Sequence, residues 1–168
     1  MPADTFDKIY LFRNIEPLQR DIIRPIFNPC NYRAGTVIFE QGEATDYLYL
    51  IVDGEVVVSF KPDDGPALTV ARVREEGVVG WSAALGSPSY TSSAACSTNC
   101  QMLRVRGADL RNLCEKHPDT GALVLERLAT VIAERLRNTH EQVISLLERG
   151  LQVGSQAATQ KYLPAGSP

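Results

Sequence analysis

The chain has 168 residues, of which 44% are hydrophobic and 22% are charged, and its 17 basic and 20 acidic side chains give a formal net charge of -3. This length is enough for one globular domain with its own core. The mild acidity argues against a generic binder of the nucleic-acid phosphate backbone, because such proteins concentrate Lys and Arg on one face. The longest apolar run, residues 47–52, is too short to span a bilayer, and the N-terminus lacks the features of a secretory signal. We therefore expect a cytoplasmic protein.

The first part of the chain, residues 1–31, is predicted to form short helices. Apolar side chains recur there at three- and four-residue steps, and Pro17, Pro25 and Pro29 limit the length of each helix. From Gly35 onward the pattern changes to short β-branched and aromatic runs separated by Gly, Asp and Pro. The predicted strands are residues 36–39, 47–52, 55–60, 67–73, 92–98 and 101–105.

This strand spacing predicts a mainly β fold with flanking helices, built as a small antiparallel barrel or a double-sheet jelly roll over residues 32–107. Asp53-Gly54 separates two strong strand candidates. The pair is typical of a two-residue type I′ hairpin, in which both turn residues have positive φ. We therefore expect the strands on either side of it to pair with each other.

The helical period returns after Ala108 and defines a C-terminal helical segment, residues 108–150. Pro118 is expected to interrupt it, a long helix is expected from about Asp119 to Arg149, and Gly150 is a typical helix end. Residues 151–168 are rich in Gly, Ser, Ala, Gln and Pro and lack an apolar period. We expect this tail to be largely disordered.

An apolar seam with a period of 3.5 residues runs along the long helix. Sustained over more than three heptads, such a seam favours pairing with a second helix, here as a homodimer. Leu123, Val124 and Leu128 widen the stripe in the first turns, which favours packing on the roll of the same chain there. The predicted dimer residues are Leu125, Ala129, Ile132, Leu136, Thr139, Val143 and Leu146.

The segment from Tyr32 to Val58, with glycines at positions 35, 42 and 54, resembles the first half of the cyclic-nucleotide-binding domains of the Crp/Fnr-type family. The resemblance extends over roughly residues 5–149, and residues 134–143 are similar to the family's dimerising C-terminal helix. It implies a β-roll flanked by short helices, with a nucleotide pocket between the roll and that helix. In the family the position matching Thr139 contacts the adenine.

Nucleotide-binding members of the family carry a phosphate-binding cassette that begins with Gly-Glu and ends about eleven positions later with Arg followed by Ser or Thr. The matching segment here, residues 79–94, keeps Gly80 but has Trp81 in place of the glutamate and Thr91 in place of the arginine. Each lost charged hydrogen bond costs about 1.5 to 3 kcal/mol, so the two together weaken the usual pose of cyclic AMP by about 3 to 6 kcal/mol.

Two interpretations of this altered cassette stay open. In the first, backbone N–H groups after Gly80 and nearby hydroxyls bind an anion or a neutral polar ligand, and Trp81 stacks on a planar ring. In the second, Trp81 fills the pocket as ordinary core and the serines cap a short helix. The candidate ligand residues are Gly80, Trp81, Ser82, Ala83, Thr91, Ser92 and Thr139.

The four cysteines are too sparse for a disulfide scaffold, and Cys96 and Cys100 are expected to be buried thiols rather than zinc ligands. Clustered N-terminal cysteines of the kind that hold an iron–sulfur group in some relatives are missing. Haem could be held only by His117 or His140 among the histidines, which makes a haem site a weak hypothesis. Neither a nucleophile arrangement nor a phosphate loop can be identified, so we expect no enzymatic activity and no cofactor.

Three hypotheses for function follow, and the first is favoured. It is a sensor domain that recognises a small polar metabolite or a noncanonical nucleotide and signals through its helix dimer. The second is a degenerate domain that acts in dimerisation or in docking to a protein partner. The third is a fragment of a Crp/Fnr-type transcription regulator. Direct contact of this chain with nucleic acid is not expected, because the 18 residues after Gly150 lack the pattern of a helix-turn-helix.

Overall fold

The computed structural model describes residues 3–161, and side chains are described from Phe6 to Leu151 except at positions 139, 142 and 143. The helices are α1 (Ala3–Lys8), α2 (Pro17–Ile23), α3 (Gly107–Lys116) and α4 (Pro118–Lys161). The strands are β1 (Asn28–Tyr32), β2 (Val37–Phe39), β3 (Tyr47–Asp53), β4 (Val56–Phe60), β5 (Leu68–Val73), β6 (Val78–Val79), β7 (Ser93–Cys96) and β8 (Cys100–Arg106). Short 3₁₀ turns cover Tyr10–Phe12, Arg24–Ile26 and Trp81–Ala83.

The strands form two four-stranded antiparallel sheets. The first has the order β1-β8-β3-β6 and the second has the order β2-β7-β4-β5. The sheets face each other, because buried side chains from both of them form one cluster inside the roll. The predicted jelly roll with flanking helices is confirmed. Every strand predicted from alternating apolar residues is present, with ends shifted by at most two residues.

Two strands were not expected from the sequence. β1 begins at Asn28, inside the segment expected to be helical, and pairs over its whole length with β8. Its residues include Pro29 and two asparagines and show no apolar alternation, so they carry no local strand pattern. β6 has only two residues and pairs with the middle of β3. β1 therefore depends on its pairing partner rather than on local propensity, whereas β6 consists of two valines and is too short to show an alternating pattern.

The predicted Asp53-Gly54 hairpin is wrong. β3 belongs to the first sheet and β4 to the second, so the two strands are not partners and the chain turns a corner between sheets. Gly54 has φ of +106°, while Asp53 ends β3 without a positive φ. A Cβ at Gly54 would lie 2.5 Å from the Asn99 carbonyl oxygen and 2.8 Å from Cys100 Sγ. The glycine is therefore needed for a close approach at the corner rather than for a type I′ turn.

A hydrophobic core lies on each face of the first sheet. The first cluster packs the N-terminal helices, α3 and the start of α4 against the outer face through Phe12, Leu48, Leu103 and Val124. The second cluster fills the roll between the sheets. Its members are Phe39, Tyr49, Ile51, Val56, Val58, Val73, Val79, Tyr90, Ala94, Cys96, Cys100 and Met102.

The start of α4 is fixed to the N-terminal part of the chain. Val124 and Leu128 are buried in the first cluster, as expected from the wider stripe in these turns. The Arg127 guanidinium donates hydrogen bonds to the carbonyl oxygens of Tyr10, Leu11 and Arg13 at 3.3, 3.0 and 2.5 Å. These three acceptors on one irregular turn hold the start of α4 against the N-terminal segment.

The chain divides into two compact units, residues 1–132 and 133–168. α4 continues through Gly150 to Lys161, so the helix end predicted at Gly150 is wrong, and residues 151–161 are helical instead of disordered. One glycine inside a helix costs only about 1 kcal/mol relative to alanine, which its neighbours can offset. Residues 162–168 of the expected tail lie outside the described residues. Within the described part, no helix combines the length and apolar character needed to cross a bilayer.

Candidate ligand site

The cassette segment, residues 79–94, begins with a backbone conformation that only glycine adopts easily. Gly80 has φ of +78° and ψ of 24° and precedes the 3₁₀ turn Trp81–Ala83. A Cβ at this position would lie 2.8 Å from the Tyr47 carbonyl oxygen. The Ala83 N–H donates to the Gly80 carbonyl oxygen at 3.1 Å, and the Ser87 N–H donates to the Ser82 carbonyl oxygen at 3.0 Å. The segment therefore starts as a compact turn set against β3.

The predicted ligand residues differ in their exposure. Gly80, Ser82 and Ala83 are buried, Ser92 is half-buried and Thr91 is exposed. Thr139 lies on α4 in the second unit, and its side chain is outside the described residues. Thr91 and Ser92, near the end of the cassette segment, are therefore more exposed to solvent than Ser82.

Trp81 is half-buried and packs against the first cluster, on the helix-covered face of the first sheet. It is not among the side chains of the second cluster, which fills the roll. The turn at Gly80 therefore places the indole against the first cluster. This placement supports a core role for Trp81, although the core it joins is a different one from the roll interior.

Tyr90 clamps the end of the cassette segment, and sequence reasoning missed it. Its hydroxyl donates to the Tyr47 carbonyl oxygen at 2.6 Å and accepts from the Tyr47 N–H at 3.1 Å. Its ring stacks on Phe39 with centroids 3.9 Å apart. Burial raises the pKa of the Tyr90 hydroxyl, which therefore stays protonated and able to donate. The sequence indicates this role only by placing one aromatic residue, Tyr90, in a segment rich in serine.

The loop of residues 41–46 holds the same segment from the other side. The Gly42 N–H donates to the Tyr90 carbonyl oxygen and the Tyr90 N–H donates to the Glu43 carbonyl oxygen, both at 2.9 Å. The Thr45 hydroxyl donates to the Ser87 carbonyl oxygen, and the Gln41 N–H donates to the Ser93 hydroxyl at 2.9 Å. The backbone of the segment is consequently held in place by bonds that no ligand is needed to form.

The chemistry of the cassette segment is neutral, because residues 79–94 contain no charged side chain. What they offer a ligand is the hydroxyls of serine and threonine and the backbone N–H groups that follow Gly80. Such groups hydrogen-bond phosphate or neutral polar groups without neutralising charge. The segment is therefore a hydrogen-bonded turn that contains no carboxylate and no guanidinium.

The other candidate residues lie away from this segment. Cys96 and Cys100 are buried free thiols, and desolvation together with the neighbouring Cys100 raises the pKa of Cys96 to about 12. A thiol with that pKa is protonated at neutral pH. His117 and His140 are both exposed. Over residues 3–161, no group of three or more His, Cys, Asp and Glu side chains is placed to hold a metal ion.

The seam of α4 is largely exposed in the single chain. Leu125, Leu136 and Leu146 are 43%, 53% and 64% exposed, Ala129 is exposed and Ile132 is half-buried. The side chains of Thr139 and Val143 are outside the described residues. The face of α4 that the seam predicts for pairing is thus different from the face buried on the roll.

Comparison with known proteins agrees with this geometry. Residues 29–117 match the cyclic nucleotide-binding domain family. The chain is 25% identical over 137 residues to the CRP-like cAMP-activated global transcriptional regulator of Mycobacterium tuberculosis, covering 82% of this chain and 59% of that protein. The chain thus spans about three fifths of the length of this relative.

Solved structures show the same fold. The catabolite activator protein of Thermus thermophilus superposes with a TM-score of 0.64 at 26% identity, covering 81% of this chain and 62% of that one. A cyclic nucleotide-binding domain from Methylobacillus flagellatus superposes with a TM-score of 0.74 at 21% identity, covering 84% and 80%. With the roll, the cassette turn and the family match in agreement, the chain belongs to the cyclic nucleotide-binding domain family.

Proposed function

We propose that the chain is a small-molecule-sensing regulatory domain whose cassette binds a small polar metabolite or a nucleotide in a pose other than the family pose of cyclic AMP. The observation that carries this proposal is the backbone of the cassette segment, which is held by hydrogen bonds although the segment has no charged side chains. Gly80 keeps its left-handed conformation, and Tyr90 fixes the other end of the segment through two hydrogen bonds. A segment held this firmly has a small ordering cost on binding a ligand.

The absence of a carboxylate and a guanidinium in the segment sets the class of ligand. Cyclic AMP in the family pose would lose two charge-assisted contacts, worth about 3 to 6 kcal/mol together. A ligand that hydrogen-bonds through neutral groups loses no binding free energy from the missing charges. Ser82, Thr91 and Ser92 are the proposed donors and acceptors for it, and Thr139 remains a proposed contact on α4.

The proposed output is a change in the pairing of α4 with the same helix of a second chain. Ligand binding can shift such an equilibrium only by its difference in affinity for the two arrangements. The exposed seam leucines of α4 support a homodimer as the signalling form. The proposal assigns no reaction, metal or resident cofactor to the chain, and no direct contact with nucleic acid.

A thermal-shift screen followed by calorimetry tests the proposal. Cyclic AMP, cyclic GMP, cyclic dinucleotides and common metabolites are titrated into the whole chain. We expect at least one saturable ligand, with binding weakened by Thr91→Ala. Thr130→Ala is the matched control, because Thr130 is also an exposed threonine but lies on α4. No binding across the screen, or equal effects of the two variants, would refute the proposal.

A second candidate function is a domain without a ligand that acts in dimerisation or in docking to a protein partner. The packing of Trp81 into the first cluster favours it, because this residue then serves stability rather than recognition. The same screen separates the two candidates. Under the second one no ligand binds, while the homodimer still forms through α4.

A further inference from the structure

A polar cavity lies outside the cassette's predicted ligand residues, with only Ala83 in common. Its volume is about 480 Å³, and it opens between the end of β8, the start of α3 and the loop that ends the cassette turn. This volume falls within the range of small-molecule sites in proteins. The residues that give the cavity its chemistry are Thr45, Asp46, Ser87, Arg106 and Arg111.

Two arginines line the cavity and are held by neutral groups. The Arg106 Nε donates to the Tyr47 hydroxyl at 3.1 Å, and the guanidinium carbon lies 5.4 Å from the centre of the Tyr47 ring. The Arg111 guanidinium donates to the Ala83 carbonyl oxygen at 3.4 Å. Among the described residues, neither arginine forms an ion pair with a carboxylate. Both positive charges therefore remain available to an anion.

Two acidic groups lie near the cavity, and only Asp46 lines it. Asp46 lines the cavity and Asp109 lies in the first turn of α3, and both carboxylates interact with Arg106 through space. Neither carboxylate comes within ion-pair distance of Arg106. Among the residues lining the cavity, two arginines face one aspartate, which leaves a net charge of +1.

The start of α3 adds to the preference for an anion. α3 has ten residues, and the residue before it, Arg106, makes no side-chain cap to its first turn. The Gly107 N–H donates a hydrogen bond to the Asp46 carbonyl oxygen at 3.1 Å. The following N–H groups of the first turn carry the partial positive charge of a helix N-terminus. This contribution is secondary to that of the two arginines.

We propose that this cavity binds the phosphoryl group of a small phosphorylated metabolite, between Arg106 and Arg111. Ser87 also lines the cavity and is proposed to contact the remainder of the ligand. Because the walls include the loop that ends the cassette turn, occupancy would also stiffen that loop. The inference does not depend on which ligand the cassette takes, or on whether it takes one.

Amide NMR spectra of the whole chain test the proposal, with ribose 5-phosphate, inorganic phosphate and ribose as probes. We expect ribose 5-phosphate to shift the amides of Gly86, Ser87, Ser89 and residues 107–110 saturably, and ribose to shift none. Saturation by inorganic phosphate at equal affinity would support the anion site and identify free phosphate as its ligand. No saturable shift with either anion up to about 10 mM would overturn the proposal, since such binding would be too weak to matter.

Two variants and one control check the assignment to residues. Arg106→Gln and Arg111→Gln each remove a charged partner and should raise the Kd about tenfold to a hundredfold. Arg33→Gln removes an exposed arginine on the turn after β1 and should leave the Kd unchanged. If Arg111→Gln fails to fold because Ala83 loses its bond, Arg106→Gln still decides. Equal effects of Arg106→Gln and Arg33→Gln would show a general charge effect and overturn the proposal.

Discussion

Two glycines of the cassette segment separate the cost of backbone strain from the cost of a steric clash. Gly80 and Gly86 have φ of +78° and +73°, but a Cβ would meet the Tyr47 carbonyl oxygen at Gly80 and nothing within 4 Å at Gly86. Gly86→Ala should therefore lower the free energy of unfolding by about 1 to 2 kcal/mol through strain alone. Gly80→Ala should cost at least about 1 kcal/mol more, because the added methyl group also overpacks.

Urea unfolding of the two variants beside the parent chain measures this difference. A Gly80→Ala variant no less stable than Gly86→Ala would contradict the close packing of the cassette turn against β3. The comparison is matched, since both changes add one methyl group at a glycine of nearly equal φ.

Glu55 makes the stability of the roll depend on pH in the acid range. Its carboxylate accepts hydrogen bonds from Arg74 at 2.9 Å, from Ser97 at 2.8 Å and from Arg72 at 3.0 Å. These bonds, led by that from Arg74, lower the pKa of Glu55 to about 2 from its ordinary 4.5. A carboxyl with a lower pKa in the folded chain stabilises it above the unfolded pKa. This contribution is lost as the pH falls from 4.5 towards 2.

Urea midpoints measured between neutral and acid pH test this role of Glu55. Glu55→Gln should lower the midpoint at neutral pH and should show a smaller further decrease on acidification than the parent chain. Glu115→Gln is the control, because Glu115 is exposed and takes part in none of the ion pairs found in residues 3–161. If Glu55→Gln kept the full acid sensitivity of the parent, the hydrogen bonds to Glu55 would not stabilise the fold.

At the level of elements, α4 presents one face to its own roll and leaves another face exposed. Val124 and Leu128 are buried, whereas Leu136 and Leu146 are more than half exposed. Exposed leucines repeated along a helix are costly in a monomer and are typical of a helix that pairs. We therefore predict that a second chain covers the seam.

Leu136→Glu tests the seam, with Asn138→Glu as the control at an exposed position of the same helix outside the seam. A charge placed in a paired seam has no partner, so Leu136→Glu should raise the dissociation constant of the dimer at least about a hundredfold. Asn138→Glu should leave it close to that of the parent. Sedimentation equilibrium measures both values. A monomeric parent chain, or equal masses for all three proteins, would refute pairing through this seam.

At the level of the whole molecule, the alternating strands and the long helix were predictable because their apolar periods are local. β1 was not, because a run containing Pro29 and two asparagines becomes a strand only by pairing with β8. The chain bends at Gly54, but the hairpin predicted from Asp53-Gly54 is wrong, because nothing local states which sheet the next strand joins. The predicted end of α4 at Gly150 was wrong because a single glycine is only a weak helix breaker.

The candidate site divides in the same way. Its position is predicted from Gly80 and the family pattern, and Gly80 has a left-handed conformation before the short 3₁₀ turn. The clamp by Tyr90 did not follow, because its partner Tyr47 lies 43 residues away and is brought near only by the fold. Sequence spacing likewise did not indicate which hydrophobic cluster Trp81 packs against, because the packing of the folded chain determines this.

The most direct test of the account is a calorimetric titration of cyclic AMP into the parent chain and the Thr91→Arg variant. Thr91 is exposed, so an arginine fits there without disturbing the core. We expect weak binding by the parent and a Kd about tenfold to a hundredfold lower for Thr91→Arg, because one charged contact is restored. Asn112→Arg, which adds the same charge on α3, should change nothing. Tight binding of cyclic AMP by the parent, unaltered by Thr91→Arg, would contradict the central claim that this cassette has lost the family's charged pose.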